Sequence, residues 1–216
     1  MKDETLQLDV TDELAWDPKI DPEEIAVSAK DGKVTLRGTV GSLRQKLEAQ
    51  HATERVWGVV SVDNKLNVRL LNEHRRDDAE LRGDVLQALM LDSLVPTSID
   101  AKVSDGIVTL IGNASWQYQR DEAEFIAGNI LGVIGVDDEV HLLTPTPDPG
   151  EVQSAIKKAF KRNAKLDADD LTVASSGGTV TLRGTVSSWS ERDAAVAAAW
   201  ASPGVDAVVD QLIVAY

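Results

Sequence analysis

The sequence contains no cysteine, which excludes disulfide staples, thiolate metal sites and cysteine nucleophiles and leaves packing to hold the fold. Histidine occurs only at positions 51, 74 and 141. These fall singly, with no HExxH, no GxSxG elbow and no glycine-rich phosphate loop, so no catalytic constellation is visible and an enzyme is not expected. Long apolar runs are missing too. The longest, Phe125 to Val136, is broken by Gly128, Gly132 and Gly135 and falls short of the roughly 20 residues a bilayer requires. The amino terminus, MKDETLQLDVTDEL, alternates acids with single aliphatics instead of building the apolar stretch of an export signal. Together with the missing cysteine, this sets the expectation of a cytoplasmic protein without a transmembrane segment. Bases are scarce as well: 22 Lys and Arg stand against 36 Asp and Glu, a net charge of −14. A field of that sign repels nucleic acid and anionic membranes at long range and attracts cations or basic partners. Residues 73–145 hold most of the excess, with 14 acids and 5 bases.

What is present is a repeat. KVTLRGTV at 33–40 returns as TVTLRGTV at 179–186, and IVTLIGNA at 107–114 is a third copy. Taking Gly38, Gly112 and Gly184 as anchors, a second glycine followed by valine comes 20 residues later each time, as Gly58-Val59, Gly132-Val133 and Gly204-Val205. A two-residue turn precedes each anchor at one offset, as Asp31-Gly32, Asp105-Gly106 and Gly177-Gly178. Periods of this length mark arrays of one structural unit, here over 1–72, 73–145 and 146–216.

Each copy reads as αββαβ. Ile25/Val27/Ala29, Ile99/Ala101/Val103 and Leu171/Val173/Ser175 alternate with polar residues ahead of the turn, and Val34/Leu36, Val108/Leu110 and Val180/Leu182 resume the alternation beyond it, which predicts a hairpin. Ser42 with Gln45 and Ser188 with Glu191 have the spacing of a capping box, and a cap at Ser115 is expected in the middle copy. A last alternating strand follows at Val62–Val68, Val136–Leu142 and Val208–Val214. Leading helices are marked by Leu6/Val10/Leu14, Leu81/Val85/Leu89 and Val152/Ile156/Phe160. The fold class is therefore α+β, three tandem units each with a small three-stranded sheet packed against two helices. Leu86, Met90 and Leu91 make the middle leading helix more apolar than one stripe needs, so contact with a neighbouring unit is expected. Trp16, Trp57 and Trp200 are expected in core or interface, and Trp116 and Trp189 as packing near helix starts.

A glycine, a Lys or Arg eight residues on, then Gly-Val, then V-x-[ND] resembles the BON domain, the bacterial osmotically inducible and nodulation domain. In this chain the pattern rests on Gly38/Lys46/Gly58/Val59/Val62/Asn64, Gly112/Arg120/Gly132/Val133/Val136/Asp138 and Gly184/Arg192/Gly204/Val205/Val208/Asp210. The resemblance implies an αββαβ sandwich without enzymatic activity, associated with envelope or osmotic stress, binding phospholipid surfaces or, in some cytoplasmic members, potassium.

The sharpest local feature is PGEVQSAIKKAFKRNAKL at 149–166. On a helix, Val152, Ala155, Ile156, Ala159 and Phe160 share one side, and Lys157, Lys158, Lys161, Arg162 and Lys165 share the other. This basic face reads as a contact for an anionic phospholipid surface or as the solvated side of a core-packing helix. No cofactor is implied. Asp137, Asp138 and Glu139 with Asp77 and Asp78 offer oxygens to a cation such as potassium or calcium, or form a solvated surface. Asp167, Asp169 and Asp170 begin like a calcium loop, yet Thr172 and Gly178 stand where that loop needs glycine and glutamate. A protein-interaction scaffold is the third class of function.

Overall fold

The computed structural model describes residues 2–71, 74, 76–143, 148–164, 166, 167 and 171–215. The first repeat runs α1 (Asp3–Trp16), β1 (Ile25–Lys30), β2 (Lys33–Val40), α2 (Leu43–Glu54) and β3 (Ser61–Val68). The second runs α3 (Asp78–Leu91), β4 (Ile99–Ser104), β5 (Ile107–Ala114), α4 (Gln117–Gly128) and β6 (Gly135–Leu142). The third runs α5 (Pro149–Arg162), β7 (Leu171–Ser176), β8 (Thr179–Val186), α6 (Trp189–Trp200) and β9 (Ala207–Val214). The three sheets have the orders β1-β2-β3, β4-β5-β6 and β7-β8-β9. β2 pairs antiparallel with β1 and parallel with β3, and β8 does the same with β7 and β9. A parallel pair needs a crossover, which α2 and α6 supply. This is the α+β architecture of repeated αββαβ units that the sequence pattern predicts. By packing, the chain falls into two compact units: Met1–Gly112 with Gln119–His141, and Asn113–Tyr118 with Leu142–Tyr216.

Each repeat buries one face of its sheet under its two helices. In the first, Leu6, Val10 and Leu14 of α1 meet Val34, Leu36, Val40 and Leu66 of the sheet, with Ala49 and Ala52 letting α2 approach closely. In the third, Val152, Ile156 and Phe160 meet Val173, Val180 and Leu182, with Ala195 and Ala199 on α6. Burying each large aliphatic side chain contributes about 1.5–3 kcal/mol.

The hairpin turns are held from the leading helix. Asp31 and Gly32 both have positive φ, 50° and 77°, as a two-residue hairpin turn matched to strand twist requires. The Asp31 amide donates to Asp3 Oδ1 at 2.9 Å, and the Asp105 and Gly106 amides donate to the Asp78 carboxylate at 2.8 and 3.0 Å. The loop between leading helix and first strand is one residue shorter in the second repeat (92–98) than in the first (17–24).

Two expectations are corrected. Met90 and Leu91 are 76% and 77% exposed, since Leu81, Val85 and Leu89 already form the stripe that packs, so within its compact unit the first repeat does not cover these two residues. Trp16 and Trp57 are 84% and 62% exposed instead of buried, whereas Trp189 and Trp200 pack against the third core. α4 starts at Gln117.

The anchor glycines sit where the middle strand leaves the turn preceding β1 or β4 no room. A Cβ on Gly38 would lie 1.8 Å from Glu24 O, with φ at +132°, and one on Gly112 would lie 2.0 Å from Ser98 O. Gly38→Ala is expected to destabilise the first repeat by at least about 2 kcal/mol. Gly83→Ala, in the exposed interior of α3 with nothing within 4 Å of a new Cβ, is expected to stabilise by up to about 1 kcal/mol. Denaturant midpoints of the two variants should move in opposite directions.

Candidate functional site

α5 is built to present a charged face. Asp148 caps it, its Oδ1 accepting from the Gly150 and Glu151 amides at 2.7 and 3.2 Å, and Pro149 occupies the first turn. Val152, Ile156 and Phe160 turn inward, and Gln153 donates from its side chain to the Val173 carbonyl. The outer side then carries Lys157, Lys158, Lys161 and Arg162, all exposed. Among the described residues none of the four is bonded to a carboxylate; Lys165 lies outside the described residues. Lys161 and Arg162 stand in the last turn, where cations also complement the helix dipole. Two shallow hollows run along this face. One, of about 540 Å³, is bordered by Asp148, Glu151, Lys158 and Arg162, and the other, of about 280 Å³, by Gln153, Lys157, Lys158 and Lys161. The arrangement can meet an extended anionic surface but encloses no reacting atom.

The remaining charged residues of the repeat pattern are structural. Arg120 pairs with Asp138 Oδ2 at 2.7 Å while Asp138 Oδ1 accepts from the Val140 amide. Arg192 and Asp210 repeat the pair at 2.8 Å, with the Leu212 amide on Asp210 Oδ1. In the first repeat Asn64 donates to the Lys46 carbonyl and accepts from the Leu66 amide. One position thus ties the second helix to the last strand in all three repeats, with a carboxylate or an amide serving equally well.

Three of the acids proposed for a cation are engaged in the same way, while Asp137 and Glu139 are exposed. Asp77 accepts from the Ala79 amide, Asp78 holds the turn, and Asp138 is paired. Asp167 donates its amide to Glu191 Oε1, and Asp169 and Asp170 lie outside the described residues. Among the described residues no group of three or more His, Asp or Glu converges as a metal site requires. Burial, with the charges of Asp138 and Asp121, pushes the Glu124 carboxyl up from its ordinary range, although the residue keeps much of its surface exposed.

Within the first compact unit, Glu48 organises a cluster the sequence does not announce. Its carboxylate takes Lys19 Nζ at 2.7 Å and Arg44 at 2.7 Å. Arg44 also donates to Asn129 Oδ1 at 2.8 Å and lies 5.2 Å from the centre of the Phe125 ring, joining α2 to α4. Beside this contact a cleft of about 740 Å³ is lined by Asp21, Glu23, Glu24, Arg69, Leu71 and Leu131 among others. The Lys19 hydrogen bond holds the Glu48 carboxyl below its usual value against the opposing effect of burial, with Arg44 assisting. Burial would raise Glu191, but amides of Asp167 and Ser187 and the Ser187 hydroxyl lower it overall. No described helix is long and apolar enough to cross a membrane.

Comparison with known proteins places this geometry. The BON domain is matched three times, at residues 2–69, 77–144 and 148–216. The osmotically-inducible protein Y of Escherichia coli K12 is 32% identical over 145 residues, covering 65% of this chain and 72% of that protein. The potassium binding protein Kbp of an Escherichia coli O6:H1 strain is 27% identical over 124 residues, 53% of this chain and 74% of that protein. Among solved structures, CdsD of Chlamydia trachomatis, a structural protein of the Type III secretion system, aligns over 98% of this chain and 92% of its own at 16% identity and a TM-score of 0.28. That score supports no inference.

The Glu48 cluster generates an acid-sensitivity prediction. A carboxyl whose folded pKa is depressed stabilises above its unfolded value, about 4.3, and loses that contribution as pH falls through the folded one. Glu48→Gln should cost about 1.5 kcal/mol at neutral pH. Its thermal midpoint should then fall less than that of the native protein between pH 7 and pH 3, as followed by circular dichroism.

Proposed function

Because the chain belongs to the BON domain family along nearly its whole length, we propose that it is a non-enzymatic osmotic-stress protein that associates with anionic phospholipid surfaces through the outer face of α5. The proposal includes the cytoplasmic address expected from the sequence. The stress setting rests on similarity to the osmotically-inducible protein Y. The observation that carries the ligand is the row Lys157, Lys158, Lys161 and Arg162, exposed and without bonded carboxylates among the described residues, in a chain of net charge −14. Each base near an anionic bilayer contributes about 1 kcal/mol, so four supply about 4 kcal/mol before screening. Since Val152, Ile156 and Phe160 are committed to the core, the contact is electrostatic and weakens with salt. Trp16 and Trp57, exposed in the first repeat, are the kind of ring that settles at a headgroup layer.

A second reading is favoured by the similarity to the potassium binding protein. A potassium ion would be taken by carbonyl oxygens rather than by the acids of 77, 78 and 138, which are already engaged. Small-angle scattering that changes in potassium but not in sodium at equal ionic strength is its expected sign.

The test of the lipid reading is co-sedimentation with anionic and neutral liposomes at about 0.1 M and about 1 M salt, where screening lengths are about 10 and 3 Å. Native protein should pellet with anionic liposomes at the lower salt alone. A variant with Lys157, Lys158, Lys161, Arg162 and Lys165 changed to glutamine, with unchanged circular dichroism, should stay in the supernatant. Equal pelleting of variant and native protein would remove α5 from the reading.

A further inference from the structure

The face of the first sheet that α1 and α2 leave open is basic. Side chains alternate across a sheet, so the inward Val34, Leu36 and Leu66 leave Lys33, Thr35, Arg37, Asp63 and Lys65 outward, with Lys30 from β1. Strand register makes the arrangement unusual. Lys30 stands directly opposite Lys33, and Arg37 directly opposite Lys65. Like charges facing one another across strands destabilise a sheet, and Asp63, bonded to Lys65 at 2.6 Å, relieves one of the four bases. Lys30, Lys33 and Arg37 have no bonded carboxylate among the described residues. This surface is separate from α5 and plays no part in the lipid reading.

The open face of the second sheet has the opposite character. Asp137 and Glu139 of β6 point outward, exposed and without a bonded cation among the described residues. Asp100 joins them, bonded to Arg82 at 2.9 Å, and the base Lys102 is exposed on the same side, so the acids outnumber the base there. Ile107 is 39% exposed on the same side. Counted from the anchor glycines, Glu139 occupies the position of Lys65 and Asp137 that of Asp63. The repeat that carries this face holds 14 acids against 5 bases. Both faces belong to the same compact unit and both are exposed there, so neither covers the other within one molecule.

We propose that the basic outer face of the first sheet docks onto the acidic second repeat of another copy of this chain, giving a self-association governed by ionic strength. The occupant follows from charge complementarity. The face carries bases in mutually repelling pairs on polar, flat ground of threonine, serine and asparagine, with no aromatic ring on which a nucleobase would stack. The acidic surface that answers it is present at the same concentration as the protein itself. At about 0.1 M salt, screening over about 10 Å hides the overall −14 repulsion between copies while leaving face-to-face attraction intact, and at about 1 M, over about 3 Å, the attraction is lost as well. A contact between two different surfaces can close into a small ring or extend.

Sedimentation velocity on the full chain across protein concentration tests this, with the apparent dissociation constant expected to rise at least tenfold between those two salt concentrations. Reversing the basic face (Lys33→Glu, Arg37→Glu, Lys65→Glu) should give a monomer at the lower salt. So should reversing the acidic one (Asp100→Lys, Asp137→Lys, Glu139→Lys). These positions are exposed on strands, and unchanged circular dichroism separates loss of docking from loss of fold. Mixing the two variants should restore a heterologous complex, because each then supplies the face the other needs. A native protein that is monomeric at every concentration, or one whose association survives both reversals, overturns the proposal. So does a mixture that stays monomeric. Anionic liposome binding that persists after α5 is neutralised and disappears when the first sheet is reversed would give the face to a membrane instead.

Discussion

A three-stranded sheet has two faces and only two helices to cover them. In each repeat both helices go to the same face, and the central strand lies close enough to the start of the first strand that Gly38 and Gly112 admit no side chain. That crowding fixes the register of Ile25 on Gly38 and Ile99 on Gly112, and with it which residues of β2 and β5 look inward. Because a one-residue slip would send every buried side chain to the solvent side, the apolar stripes of all six helices are bound to one solution. What the scaffold leaves free is the outer side of each leading helix and the open side of each sheet.

The repeats have diverged at those free surfaces. The last residue of the leading helix is Trp16 in the first repeat, Leu91 in the second and Arg162 in the third. The strand position 27 residues beyond the anchor glycine is Lys65, Glu139 and Gln211. Neither set touches a core. A small domain with little apolar surface to bury cannot spare core positions for recognition, so triplicating the scaffold provides three independent outer surfaces at no cost to packing. The net charge is distributed accordingly, with the acid excess concentrated in 73–145 and basic surfaces in the repeats on either side.

The extent to which this was legible in the sequence follows the range of the interactions concerned. The repeat, the hairpins and the caps at Ser42 and Ser188 depend on neighbours a few residues away, and Ser42 Oγ accepts the Gln45 amide and Ser188 Oγ the Glu191 amide, as the spacing requires. The family pattern was readable for the same reason, since Arg120, Asp138, Arg192 and Asp210 stand at fixed offsets. Residue type argues for burial of Trp16 and Trp57, but on α1 the stripe of Leu6, Val10 and Leu14 already fills the core and leaves Trp16 outside. The Glu48 cluster joins residues 19, 44 and 48, and through Arg44 reaches Phe125 and Asn129, a set no local spacing signals. The basic face of the first sheet was half visible: Lys33 and Arg37 share a side by alternation, but Lys65 joins them only through a parallel register set by the intervening helix.

Electrostatics of this kind differs in purpose from the ion pairs that hold the fold. Arg120 with Asp138 and Arg192 with Asp210 are partly buried, with side-chain exposures of 15–29%, and bulk salt screens such pairs little. Lys157, Lys158, Lys161 and Arg162 on α5, and Lys30, Lys33 and Arg37 on the first sheet, are exposed, and added salt acts on them more directly. Ionic strength therefore acts on the exposed outer charges before it acts on the pairs that hold helix to strand, because the two sets of charges are different residues.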